Sequence, residues 1–104
     1  MNLPFVPKPP LVAVIRLQGM IAAGPQGGLS DAVLAPVIER AFRRGKPAAV
    51  ALAVNSPGGS AAQSSLIAAR IRRLSEKHGL AVHGFVEDVA ASGGYWLATA
   101  ADHI

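Results

Sequence analysis

The chain contains no cysteine, which excludes disulfides, thiolate metal sites and a cysteine nucleophile over its 104 residues. Aromatic residues make up only 5%, so the sequence offers no series of rings for nucleic-acid bases to stack on. No apolar run approaches the ~20 residues that a membrane helix needs. His, Asp and Glu nowhere cluster at metal-ligand spacing, and no metal is expected. Charged residues are scarce at 15% while hydrophobic residues reach 51%, a balance that builds a core rather than a disordered chain.

What charge there is leans basic, with a formal net charge of +4. The cations fall in two groups: Arg40, Arg43, Arg44 and Lys46, then Arg70, Arg72, Arg73 and Lys77. Each group closes a predicted helix, where positive charge meets the negative end of the helix dipole. The two groups therefore read as solvated helix faces, and no nucleic-acid partner is expected.

Residues 1–10, MNLPFVPKPP, read as an extended Pro-rich arm. Their prolines and the lack of a long apolar segment exclude a secretory signal peptide. LVAVIRLQG, 11–19, is β-branched and apolar and ends at Gly19, which predicts a strand. MIAAGPQGG reads as a loop. Ser30 is a predicted N-cap, followed by Val33, Leu34, Val37, Ile38 and Ala41 at helical spacing. Pro36 predicts a kink or a late start for that helix, and Gly45 its end.

AAVALAV, 48–54, is wholly apolar and suits a strand covered on both faces. NSPGG is a turn. Ser60 and Gln63 form a predicted capping box for a helix with Leu66, Ile67, Ile71 and Leu74 as its stripe and Gly79 as its stop. LAVHGFVE, 80–87, reads as a third strand, and a last helix is expected from about Gly93, with Tyr95 and Trp96 in its first turn. Strand and helix alternate three times. That order argues for an α/β fold with parallel strands and right-handed helical crossovers.

Two loops share a position. NSPGGS follows the second strand and AASGGY the third; both sit at the carboxyl ends of their strands and precede a helix. Ligands bind at that edge of parallel α/β sheets. Adjacent strands bring Gly58 and Gly59 near Ser92. Backbone N–H groups from a Gly-rich turn and from the residue after a serine can jointly face one oxygen, as an oxyanion hole requires. A helix starting at Gly93 adds its positive end to the same spot. Each glycine pair alone also fits an ordinary turn. The GxSxG elbow is absent, because Ala90 stands at the first glycine position, and there is no Walker phosphate loop.

AVNSPGGS at 53–60 followed by DVAASGGYWLATAAD at 88–102 resembles the signal peptide peptidase SppA family of serine peptidases, as does the opening strand LVAVIRLQGMI. The resemblance covers nearly the whole chain past the arm. It implies a Clp/crotonase-like fold of stacked βαβ units with a parallel sheet, here truncated, with 11–104 forming the N-terminal part of an incomplete peptidase domain. It also implies a serine endopeptidase of the Ser–Lys dyad type. Ser92 matches the nucleophile, Gly59 the turn glycine whose N–H enters the oxyanion hole, Gly58 the glycine that shapes the turn, and Gly93 the second donor. The expected substrates are peptides or proteins such as remnant signal peptides, no cofactor is expected, and the family tends to assemble into homo-oligomeric rings.

The dyad lysine is expected several tens of residues after the serine, beyond this chain. Lys8, Lys46 and Lys77 lie in the arm or at helix ends and do not fit the role, so these residues alone should not turn over substrate. A triad built from His83 or His103 with Asp88 or Asp102 is a weaker alternative, because His103 lies about three helical turns from Ser92. Asp88 fits the end of the strand better, and Asn55 and Ser56 fit the fixing of the NSPGG turn. Two other readings are carried: a crotonase-like acyl-CoA enzyme in which two N–H donors polarise a thioester, and a non-catalytic scaffold homologue. Cytoplasmic localisation is expected, with contact to a membrane surface left open and no transmembrane segment in the chain.

Overall fold

The computed structural model describes residues 10–24, 28–90 and 97–103. Strand β1 spans Val12–Gln18, helix α1 Asp31–Arg43, β2 Ala49–Ser56, α2 Ala61–His78 and β3 Val82–Ala90. The three strands form one parallel sheet in the order β1-β2-β3. The α/β fold class read from the sequence is the one observed. The expected arm at 1–10 lies outside the described residues except for Pro10.

Register and alternation divide the sheet into two faces. Ala13, Val50 and Val82 lie abreast, as do Ile15, Leu52 and Gly84, then Leu17, Val54 and Val86. This row is the core face: Ile15, Leu17, Val50, Leu52, Val54 and Val82 are all buried. Helices α1 and α2 cover it, sending in Leu34, Ile38, Phe42, Ile67 and Ile71. Sequential parallel strands joined by right-handed crossovers place both helices on the same side.

The other face carries Val12, Val14 and Arg16 on β1, Ala49, Ala51 and Ala53 on β2, and His83 and Phe85 on β3. Coverage of β2 on both faces was expected, but no described element packs over this second face. Ala51 is nonetheless 9% exposed, because its small side chain lies between the larger neighbours of β1 and β3.

Helix α1 also departs from its predicted stripe. Val33 and Val37 are exposed, and the buried stripe is Leu34, Ile38 and Phe42. The helix runs continuously through Pro36. Pro36 and Ala32 are both exposed, so the Ala32 carbonyl that loses its i+4 donor faces solvent. In α2, Ile67 and Ile71 are buried and Leu74 is partly so, whereas Leu66 is exposed.

The helix ends follow the expected chemistry with one change. Ser30 Oγ accepts from the Val33 N–H, and Ser60 Oγ from the Gln63 N–H, each at 3.2 Å. Gly79 closes α2 in the left-handed region at φ 64°. The reciprocal half of the predicted capping box is absent: Gln63 Oε1 accepts from the Asp31 N–H at 2.8 Å, while the Ser60 N–H donates to the Ile21 carbonyl. The side chain that should close one helix start instead ties two helix starts together. Ser60→Ala is expected to lower stability by about 1 kcal/mol, read as a shifted urea midpoint at unchanged slope.

After β3 the chain returns to the beginning of that strand. Leu97 and Ala98 are helical and fully buried, but residues 99–103 form turns and a bridge rather than helix, so the expected final helix does not extend to His103; its expected start falls on residues outside those described. Asp102 N–H donates to the Val82 carbonyl at 2.7 Å and Gly84 N–H to the His103 carbonyl at 2.6 Å, so His103 lies parallel to His83. A Cβ on Gly84 would come 3.1 Å from the Ala101 Cβ, which accounts for glycine at this position of β3.

Candidate active site

The NSPGG turn leaves the carboxyl end of β2 in a conformation that requires glycine. Gly58 has φ 104° and Gly59 φ 141°, both in the region that L side chains rarely adopt. Ser56 is fully buried, and its Oγ accepts from the Gly58 N–H at 3.2 Å, so it fixes the turn as expected. The Asn55 carbonyl accepts from the Gly19 N–H at 3.1 Å and links the turn to the end of β1.

Ile21 does most to hold the turn, although the sequence placed it in a plain loop. Its N–H donates to the Gly58 carbonyl at 2.9 Å, and its carbonyl accepts from the Ser60 N–H at 2.8 Å. These two bonds bracket Gly59. A Cβ on Gly59 would overlap the Ile21 carbonyl oxygen, so the close approach depends on glycine. The Gly59 N–H itself has no acceptor among the described residues. The available signal was a β-branched residue two positions past Gly19 in a Gly-rich loop; Ile21 is fully buried, whereas the neighbouring Met20 is exposed.

Strand β3 ends beside this turn. Val54 pairs with Val86, but Ser56 pairs with Ala90, so β3 carries two extra residues over that step. Bulges of this kind re-aim the chain and are common beside active sites. Asp88 lies inside β3, which runs to Ala90, and so does not end the strand as expected. Ala90, opposite Ser56, stands two residues before Ser92 in the sequence. Ser92, Gly93, Tyr95 and Trp96 lie outside the described residues, so the expected approach of Gly58 and Gly59 to Ser92 rests on the Ser56–Ala90 pair.

The other candidate groups are placed elsewhere. His83 and His103 stack with ring centroids 5.3 Å apart near the start of β3. His83 precedes Ala90 by a strand length on the order of 20 Å. Asp102 has both carboxylate oxygens engaged: Oδ2 accepts from the Val82 N–H at 2.7 Å and Oδ1 from Arg72 Nη1 at 3.0 Å. The Val82 N–H is the main cause that lowers its pKa, burial opposes it, and Arg72 adds to the lowering. Asp102 thus anchors the returning chain at the start of β3, the end of the strand opposite the NSPGG turn.

Lys46 sits before β2 and Lys77 in the last turn of α2, both exposed and both at the end of the sheet opposite the NSPGG turn. Among the described residues, no group of His, Asp or Glu could hold a metal ion.

No family model matches the chain. It is 36% identical over 98 residues to Protease 4 of Haemophilus influenzae and 38% identical over 99 residues to the chloroplastic serine protease SPPA of Arabidopsis thaliana. It is also 48% identical over 96 residues to the Na(+)/H(+) antiporter NhaA of Brucella melitensis. These alignments cover 92%, 89% and 89% of this chain but only 16%, 14% and 13% of the respective relatives. The chain is thus similar, over about nine-tenths of its length, to a short segment of each of these relatives, and spans less than a fifth of any of them.

Proposed function

We propose that this chain is the nucleophile-bearing part of a serine peptidase of the signal peptide peptidase type, built on a Clp/crotonase-like fold. The observation that carries the reading is the Gly59 turn: clamped on both sides by Ile21, its N–H uncommitted among the described residues, and beside the strand that leads to Ser92. Similarity to Protease 4 and to chloroplastic SPPA supports it.

In this reading Ser92 Oγ attacks the scissile carbonyl carbon and gives its proton to a neutral lysine supplied from beyond this chain. The carbonyl oxygen becomes an oxyanion and accepts from the N–H groups of Gly59 and Gly93. The lysine then protonates the departing amine, and water hydrolyses the acyl-enzyme by the same steps in reverse. The proposed substrates are peptides, remnant signal peptides among them, and the proposed assembly is a homo-oligomer. The proposed location is the cytoplasm or the cytoplasmic surface of a membrane.

Similarity to the antiporter does not redirect the reading. The described residues form a parallel sheet beneath one layer of helices, and none of their helices is long and apolar enough to cross a membrane. The segment fits a module that occurs in differently named proteins.

The test treats the full-length protein, which carries the proposed lysine, with a fluorophosphonate probe and locates the label by mass spectrometry. Label on Ser92, absent in Ser92→Ala, is the expected result. A folded protein that takes no label overturns the peptidase reading in favour of thioester polarisation or a scaffold role.

A further inference from the structure

Away from the proposed site, the outer edge of β1 is unpaired among the described residues. Strand β1 bonds only to β2, and the Leu11 carbonyl and the Gly19 N–H both point that way. N–H and C=O of one residue in a strand share a side, so the odd-numbered positions of β1 serve β2. Val12, Val14 and Arg16 therefore turn their backbone donors and acceptors to the open edge.

A groove of about 280 Å³ runs along that edge between β1 and α1, lined by Ala13, Val14, Val37, Arg40, Ala41 and Arg44. Val14 is 58% exposed and Val37 50%. Arg40 and Arg44 are exposed one helical turn apart, with no acidic partner in any ion pair of the described residues. An open strand edge beside an apolar groove with a cationic rim accepts one kind of occupant well.

We infer that β1 takes up an extended peptide as an additional strand, with acidic side chains toward Arg40 and Arg44 and apolar ones toward Val14. Main-chain bonds supply the affinity and the alternating side chains the selection. Charge decides among the possible occupants. A second copy paired through β1 about a two-fold axis would set the Arg40 and Arg44 of both copies against each other across the seam. Residues 1–9 carry prolines at 4, 7 and 9, each lacking an N–H donor. An acidic peptide has neither defect and meets a chain of net charge +4.

The probe is a blocked heptapeptide alternating valine and glutamate, titrated into the ¹⁵N-labelled full-length protein. The expected result is shifting and slowed hydrogen exchange at the amides of Val12, Val14 and Arg16. The same peptide N-methylated at every amide, or carrying lysine for glutamate, should not bind. Arg40→Glu with Arg44→Glu should weaken binding about fivefold or more, and added salt should do likewise in the unaltered protein. Shifts elsewhere, or none, overturn the proposal. So does protection of those amides without peptide, where concentration dependence would identify a second copy and its absence the chain's own arm.

Discussion

Gly59→Ala is expected to destabilise the protein by about 3 kcal/mol, the sum of a strained backbone and a displaced neighbour. At φ 141° an alanine is strained whatever the space around it. Here the added Cβ also overlaps the carbonyl oxygen of Ile21. Ile21 cannot step aside cheaply, because it is fully buried and bonded on one side to the Gly58 carbonyl and on the other to the Ser60 N–H. Gly79→Ala is the control. Gly79 also has positive φ, at 64°, but nothing lies within 4 Å of the new Cβ, so only the backbone term remains, about 1 kcal/mol. Urea unfolding of the two variants separates the terms, and equal losses would remove the steric clamp from the account. The proposed oxyanion role adds a second readout. Labelling of Ser92 by a fluorophosphonate should slow about 100-fold in folded Gly59→Ala, as expected for loss of one fixed donor. A destabilised variant that labels at the normal rate would leave Gly59 structural only.

Local chemistry made most of the elements legible. The apolar runs predicted strands at 11–19, 48–54 and 80–87, and the strands are Val12–Gln18, Ala49–Ser56 and Val82–Ala90. Ser30, Ser60 and Gly79 mark helix ends as their side-chain and backbone chemistry predicts. Contacts between elements were not legible. Nothing in the spacing of Ser60 and Gln63 reveals that Gln63 reaches the start of another helix, because residue type reports what a group can bond and not what the fold brings to it. Val33 and Val37 fit a helical stripe, yet α1 turns Leu34, Ile38 and Phe42 inward and leaves the two valines exposed, Val37 beside β1. The candidate site divides in the same way. The glycines of the turn announce themselves, whereas Ile21, which holds them, is silent until the end of β1 is seen beside the end of β2.

Arg70→Ala is expected to cost about 2 kcal/mol near pH 7, between the values typical of exposed and of buried ion pairs. Arg70 grips Asp31 with two bonds, Nε to Oδ1 at 2.7 Å and Nη2 to Oδ2 at 3.0 Å, and reaches Glu39 at 3.0 Å. The Arg70 and Asp31 side chains are 20% and 18% exposed, so solvent screens the pair only in part. Asp31 opens α1, where its charge also suits the helix dipole, so one arginine of α2 fixes the start of α1. The hydrogen bond from Arg70 is the main cause that lowers the Asp31 pKa; burial opposes it, and the charges of Arg70 and Arg73 reinforce it. A carboxylate with a depressed folded pKa contributes stability that is fully present above its ordinary value and lost as pH falls through the folded one. The protein should therefore lose stability on acidification below about pH 4, with Asp102 adding to the loss through its own lowered pKa. In Arg70→Ala the part due to Asp31 is already gone, so its stability should fall less steeply over the same range. Urea midpoints measured from pH 6 down to pH 3 for both proteins test this. Parallel curves would mean that Asp31 gains nothing from Arg70, and that packing alone joins the two helices.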